Sequence, residues 1–336
     1  MKINVFSTQR YDRAFLNAAN AGAGHQLRYF DELLDSESVG LATGHEAVCI
    51  FVNDRADAEV LEALAAGGTR LVALRCTGFN NVDLKAAGRL GLKVVRVTNY
   101  SPYSVAEHAV ALLLAINRKI HRAYNRTRDS NFALDGLMGF DLHGKTVAVV
   151  GTGKIGYVFA KIMLGFGCEV IGYDTYPSDA FKALGARYAE PGEIGSRADI
   201  ASLHCPLTPE TYHIINADML ARAKRGALLV NTSRGGLIDT EAVIEALKSG
   251  QLGGLALDVY EQEGDLFFQD LSDQVIQDDV FQRLLTFPNV LITGHQGFFT
   301  AEALSSIAHT TLHNISAFER DGVCQNEVTL ELLQTG

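Results

Sequence analysis

The stretch Thr146-Val-Ala-Val-Val-Gly-Thr-Gly-Lys-Ile-Gly156 decides the fold. Five strand-like residues run straight into a Gly-x-Gly-x-x-Gly turn. The turn opens a helical pattern through Val158, Ala160, Ile162 and Met163. Strand, glycine turn and helix in that order suit a dinucleotide. Gly151, Gly153 and Gly156 permit a tight turn, close approach of the pyrophosphate and close helix–strand packing, and the helix start offers N–H groups and a favourable dipole. The next candidate strand ends at Tyr173-Asp174, near the ~20-residue spacing expected for the acid that binds the ribose hydroxyls. No Lys or Arg follows between 175 and 179, so Asp174 would repel a 2′-phosphate, and NAD is predicted over NADP.

Outward from this turn, short apolar runs alternate with helical patterns. Candidate strands before it are Ile3–Phe6, Leu27–Phe30, Ala47–Val52, Leu71–Arg75 and Lys93–Val97. A second series runs through Thr146–Val150, Glu169–Tyr173, Ile200–His204, Ala227–Asn231, Gly254–Asp258 and Val290–Thr293. Such alternation implies βαβ units, and two series predict an α/β chain with two doubly wound, Rossmann-like parallel sheets. A long helix is predicted from Val105 to about Ala123, with Ser104-Val-Ala-Glu107 as its capping box. Its apolar face would include Val105, Ala109, Leu112, Leu113, Ile116 and Ile120. Another helix, Ala301 to about Phe318, follows the last strand.

The chain has 336 residues and is 47% hydrophobic, enough for two domains. A formal net charge of −10 argues against a nucleic-acid surface, which needs clustered Lys and Arg. The one basic stretch, Arg118-Lys119 to Arg128, reads as a solvated face. Five scattered cysteines without CxxC or zinc-like spacing point to a reduced, cytoplasmic setting and to no metal site. The start reads as a first strand rather than a signal peptide. The longest uninterrupted apolar run, Ala109 to Ile116, falls far below the ~20 residues that span a bilayer.

Three polar residues follow strands of the second series. Arg234, in Asn231-Thr-Ser-Arg-Gly-Gly236, is placed to grip a carboxylate bidentately and polarise a neighbouring carbonyl. His295, in Thr293-Gly-His-Gln296, brings an imidazole with an ordinary pKa near ~6.5, suited to giving a proton to a forming alkoxide. A carboxylate beside it would favour the charged imidazole. Glu261 and Glu263 both qualify, and spacing does not choose between them.

These segments, with Ser202-Leu-His-Cys-Pro-Leu-Thr-Pro209 and Gly294-His-Gln296, resemble the D-isomer-specific 2-hydroxyacid dehydrogenases over essentially the whole chain. Phe6-Ser-Thr-Gln-Arg-Tyr-Asp12, Arg75-Cys-Thr-Gly-Phe-Asn-Asn81, Asp265-Leu-Phe-Phe-Gln-Asp270 and Ile276-Gln-Asp-Asp279 look closest to the fermentative D-lactate dehydrogenase branch. The resemblance implies Arg234 for substrate binding, His295 as acid/base and Glu263, rather than Glu261, as its partner. It implies that N–H groups around Thr77, Gly78 and Phe79 hold the substrate carboxylate, with Tyr100 and Phe298 shaping the methyl pocket. Cofactor contacts would come from Gly151, Thr152, Gly153, Lys154, Ile155 and Gly156, from Tyr173 and Asp174, and from His204, Cys205 and Pro206. Thr232, Ser233 and Asp258 complete that set. The implied division is a discontinuous substrate domain, 1–100 with 300–336, and an NAD domain, 101–299, with the active site in the cleft between them. The implied reaction is reversible, NADH-dependent reduction of pyruvate to D-lactate by a dimer or tetramer. Its rivals are another keto acid of the same class, such as hydroxypyruvate, glyoxylate or a bulkier one, and a non-catalytic NAD-sensing co-repressor. Phosphoglycerate oxidation is disfavoured because the chain ends at Gly336 with no regulatory domain. Formate oxidation is disfavoured by the carboxylate at Glu263.

Overall fold

In the computed structural model, residues 1–330 are described. In chain order the first elements are β1 (Lys2–Val5), α1 (Arg10–Asn20), β2 (Gln26–Tyr29), β3 (Ala47–Ile50) and α2 (Ala58–Ala66). β4 (Leu71–Leu74), α3 (Leu84–Leu90) and β5 (Lys93–Arg96) follow. Next come α4 (Pro102–Arg118), α5 (Ile120–Arg128), β6 (Thr146–Val150), α6 (Lys154–Gly165) and β7 (Glu169–Tyr173). The chain continues through α7 (Asp179–Ala183), β8 (Arg187–Tyr188), α8 (Pro191–Arg197), β9 (Ile200–Leu203), α9 (Ala217–Arg222) and β10 (Ala227–Asn231). It closes with α10 (Thr240–Ser249), β11 (Leu252–Leu257), α11 (Asp279–Leu285), β12 (Val290–Ile292) and α12 (Ala301–Asp321).

The chain divides into two compact units, Met1–Ser101 with the stretch from Phe299 onward, and Pro102–Phe298. Of the segment 300–336 assigned from sequence to the first domain, residues 331–336 lie outside the described residues. Each unit holds one parallel sheet. The first has five strands in the order β2-β1-β3-β4-β5, the second seven in the order β12-β11-β10-β9-β6-β7-β8. In both, the order reverses beside the first strand, which makes them doubly wound.

Burial on both faces explains the continuous apolar runs. In the first unit, Val48, Ile50, Val72, Leu74 and Val94 pack with residues of α2 and α3. The alternating residues Cys49, Leu71, Ala73 and Val95 pack with Leu16 of α1 and with Ala308, Leu312 and Ile315 of α12. In the second unit, Val147 and Val149 pack against α4 and α6. Val150, Leu203, Leu229 and Leu257 pack on the opposite face, against Val243 and Leu247 of α10.

Two sequence expectations give way here. The helix expected from Val105 to about Ala123 is two helices, because Lys119 takes a left-handed backbone at φ 51°. That break turns the following residues, so Ile120 leaves the apolar face and is 58% exposed. The helix also starts earlier. Pro102 occupies its first position, where the missing N–H costs nothing. Ser104 therefore lies inside the helix, and its Oγ donates to the carbonyl of Gly297 at 2.7 Å instead of capping. The short strand β8 went unread, since two residues give no periodicity. Several other strands stop one or two residues before their expected ends.

Candidate active site

All seven strands of the second unit run parallel, so their C-terminal ends share one edge. Gly151 leaves β6 there with φ +92°, which a side chain rarely adopts. A Cβ on Gly151 would land on the Cys205 amide nitrogen, and one on Gly156 on the Gly151 carbonyl oxygen. The turn is therefore packed against the end of β9 while Gly153 and Lys154 face outward. The α6 start has Gly153 as its cap residue, with no side chain covering its N–H groups and no acid in its first turn. These are the conditions under which a helix start receives a phosphate.

Asp174 stands at the end of β7. Its Oδ2 accepts from the Thr152 amide at 2.6 Å and hydroxyl at 3.1 Å, and its Oδ1 from the Tyr176 amide at 2.9 Å. Those contacts hold the carboxylate beside the turn. His204 follows β9 with Nε2 2.9 Å from Ser202 Oγ and its ring 4.9 Å from Phe159. Burial pushes its pKa down to about 3, so it is neutral and unfit for proton transfer near neutrality. Burial also pushes the Cys205 thiol up to about 11, a protonated and unreactive group. Its carbonyl accepts from Ser233 Oγ at 2.6 Å, tying the loop after β9 to that after β10. Pro206 is exposed, whereas Thr232 is buried.

The three reactive candidates follow β10, β11 and β12, neighbouring strands of the sheet. Arg234 is partly exposed; its Nη1 donates to the Ser233 carbonyl at 2.7 Å, and its own carbonyl accepts from Asn231 Nδ2 at 2.8 Å. Among the described residues no carboxylate pairs with its guanidinium, which leaves the charge available to an anion. His295 Nδ1 lies 2.8 Å from Glu263 Oε1. A carboxylate can only accept, so Nδ1 carries the hydrogen and Nε2 faces the other way. Glu263 Oε2 in turn accepts from the Tyr260 amide at 2.9 Å. Glu261 points elsewhere, to the Tyr212 hydroxyl at 3.0 Å and His213 Nε2 at 3.3 Å. Phe268 lies between, its ring 5.8 Å from His295 and 6.4 Å from the buried Phe298.

The backbone of His295 is left-handed, at φ 52°. Asp258, assigned from resemblance to the cofactor, is 1% exposed and turns its carboxylate onto this loop. Oδ1 accepts from Thr293 Oγ1 at 2.5 Å and the Gln296 amide at 2.9 Å, and Oδ2 from the Gly297 amide at 2.7 Å. Its backbone carbonyl takes the His295 amide at 2.8 Å. His108 of α4 completes the web, with Nε2 3.1 Å from Thr293 Oγ1 and 3.2 Å from Asp258 Oδ1. Burial raises the Asp258 pKa, but hydrogen bonds from His108 and Thr293, with the His108 charge and the Gln296 amide, bring it below the ordinary value. Four contacts thus offset the cost of an uncommon backbone at His295. In the sequence His108 shows only as a polar residue between apolar positions of a helix, which does not mark it as part of this web.

In the first unit, Thr77, Gly78 and Phe79 follow β4, and their N–H groups donate to no protein acceptor among the described residues. Tyr100 is partly exposed at that unit's end. Among the described residues no cluster of His, Cys, Asp and Glu could hold a metal ion, and no helix is long and apolar enough to cross a membrane.

The chain is similar over nearly its whole length to known proteins. Residues 110–297 match the family described as D-isomer specific 2-hydroxyacid dehydrogenase, NAD binding domain. The chain is 54% identical to the D-lactate dehydrogenase of Escherichia coli strain K12 over 328 residues, 98% of this chain and 100% of that protein. The apo-structure of the E. coli D-lactate dehydrogenase superposes with a TM-score of 0.91 at 51% identity, covering 98% and 100% of the two chains. The pyruvate reductase of Chlamydomonas reinhardtii superposes at 0.93 with 44% identity, covering 97% and 98%. An uncapped α6 start beneath a glycine turn, with Asp174 held at its side, suits NAD, and the chain belongs to the NAD-dependent D-isomer specific 2-hydroxyacid dehydrogenases.

Proposed function

We propose that the protein catalyses the reversible, NADH-dependent reduction of pyruvate to D-lactate, with His295 as proton donor and acceptor. The observation that carries this reading is the 2.8 Å His295–Glu263 contact, on the same sheet edge as an arginine with no acid partner among the described residues. Glu263 holds the imidazole in one orientation with Nδ1 turned to the carboxylate, so Nε2 is the atom that exchanges a proton with a carbonyl oxygen. Arg234 grips the carboxylate and stabilises charge developing on that oxygen, in the manner of a pre-aimed electrostatic group. The carboxylate is further assigned to the N–H groups of Thr77, Gly78 and Phe79, and the methyl group to Tyr100 and Phe298.

Gly151 to Gly156, Tyr173, Asp174, His204 to Pro206, Thr232, Ser233 and Asp258 are assigned to the cofactor. When bound, NADH supplies the hydride. The names of the relatives, a D-lactate dehydrogenase and a pyruvate reductase, support pyruvate over a bulkier keto acid. NADH oxidation rates with pyruvate, hydroxypyruvate, phenylpyruvate and oxaloacetate test the choice. The highest kcat/KM is expected with pyruvate and the product should be the D-isomer; a preference for any other acid, or L-lactate, would overturn the assignment.

We also assign the protein to the cytoplasm as a homo-oligomer, dimer or tetramer. Free cysteines support the first part. Exposed Ile120, Tyr124, Phe132, Leu134 and Met138 support the second, which a monomeric mass in light scattering would remove.

A further inference from the structure

The segment after β4 exposes amide donors because its carbonyls are held from behind. Arg96, the last residue of β5, donates from Nη1 to the Thr77 carbonyl at 3.0 Å. The Cys76 thiol donates to the Gly78 carbonyl at 3.3 Å. All peptides here are trans, and in a planar trans peptide the N–H points opposite to the C=O. Holding the Thr77 carbonyl therefore aims the Gly78 N–H away from Arg96, and holding the Gly78 carbonyl aims the Phe79 N–H away from Cys76. Consecutive amides left without protein acceptors are the ingredients of an anion-binding nest.

Arg96 is itself fixed in place. Its amide donates to the Asn326 carbonyl at 3.0 Å, and its carbonyl accepts from Asn314 Nδ2 at 3.0 Å. The guanidinium lies over the Phe79 ring, 4.8 Å from the centroid. Burial holds its pKa below the ordinary arginine value, with Cys76 acting against that, and among the described residues its guanidinium contacts the Thr77 carbonyl and the Phe79 ring rather than a carboxylate. A positive charge with no acid beside it therefore stands behind the amides.

We infer that Arg96 and Cys76 are positioning residues for the substrate carboxylate: they aim the Gly78 and Phe79 N–H groups, and Arg96 adds an uncompensated positive charge behind them. The inference rests on the proposed assignment of the carboxylate to these amides. A role confined to stapling β5 to the loop would lower stability without changing how carboxylates bind.

The full-length enzyme is assayed for pyruvate KM and kcat, for inhibition by oxamate at saturating NADH, for NADH affinity and for melting temperature. Arg96→Met should raise the pyruvate KM and the oxamate inhibition constant together by about tenfold to a hundredfold, as expected for losing a hydrogen bond to a charged group. The kcat should stay within a fewfold, with NADH affinity unchanged. Cys76→Ala should raise both constants about threefold, and Cys76→Ser, which keeps a donor, should restore them. If Arg96→Met does not fold, Arg96→Lys is read the same way and should fall between wild type and that expectation. Gly78→Pro, which deletes one of the amides, separates the two levels of the argument. Raised constants there, with unchanged constants in the Arg96 and Cys76 variants, overturn the positioning role alone. Unchanged constants in Gly78→Pro overturn the carboxylate assignment and the inference with it.

Discussion

Both sheets are parallel and doubly wound, with different strand orders, but they treat their reversal points in opposite ways. In the second unit the order reverses between β6 and β9, and the chain leaves β6 through Gly151, Gly153 and the uncapped start of α6. In the first unit it reverses between β1 and β3, and the same location is filled with the protein's own charges. The chain leaves β1 through Phe6-Ser-Thr-Gln9, without a glycine. The Ser7 and Thr8 amides are already spent on the carbonyls of Glu32 and Phe30. Asp12 sits in the first turn of α1, where Oδ2 accepts from the Gln9 amide at 3.0 Å and Oδ1 lies 3.4 Å from Arg75 Nε.

Arg75 is 2% exposed, and its Nη2 donates to the Ser7 carbonyl at 2.6 Å. Asp54 is fully buried. Its carboxylate accepts from the Leu34 amide at 2.7 Å and from the Phe51 amide and Ser7 hydroxyl, each at 2.5 Å. Burial raises the Asp54 pKa, and the charge of Arg75 works against that rise. A doubly wound sheet thus offers a location for an anion, and loop chemistry decides whether it stays open. Where the turn is glycine, the helix start remains available. Where an acid occupies the first turn, an internal carboxylate takes the place a phosphate would have.

Substitutions on the two sides of this contrast should fail differently. The larger effect is expected from Gly151→Ala, which meets both a left-handed backbone and the Cys205 amide. NADH affinity measured by fluorescence titration should fall about a thousandfold or more, equivalent to ~4 kcal/mol; a fall below tenfold would mean that the turn is not closely packed. Arg75→Met should act on stability, by about 3–5 kcal/mol, because it strands buried carboxylates without their partner. Denaturant unfolding should show that loss while the protein that remains folded binds NADH with unchanged affinity. A weakened NADH affinity there would break the contrast by tying the first reversal point to the cofactor.

The open half of this contrast was readable from sequence and the sealed half was not. Glycine spacing and strand-terminal Asp174 are local patterns with one physical use, and so are legible along the chain. The positions of Arg234 and His295 after strands were equally visible. What escaped were contacts made across long sequence distances. Asp258 reads as a strand-end acid, yet its carboxylate shapes the loop 293–297 and answers to His108 in α4. Glu261 and Glu263 differ in partner because Tyr212 and His213 come to the former, which residue spacing does not encode. The helix break was hidden for a related reason. Lys119 has an ordinary helix-forming side chain, and its left-handed backbone is imposed by its surroundings rather than by its type.

The role of His295 is tested by comparing wild type with His295→Gln in single-turnover oxidation of bound NADH by pyruvate, with NADH affinity measured beside it. NADH affinity should be unchanged and the rate lower by about a hundred- to ten-thousandfold, the usual contribution of a positioned general acid. A rate within tenfold of wild type would contradict His295 as the proton donor and leave its pairing with Glu263 a structural contact.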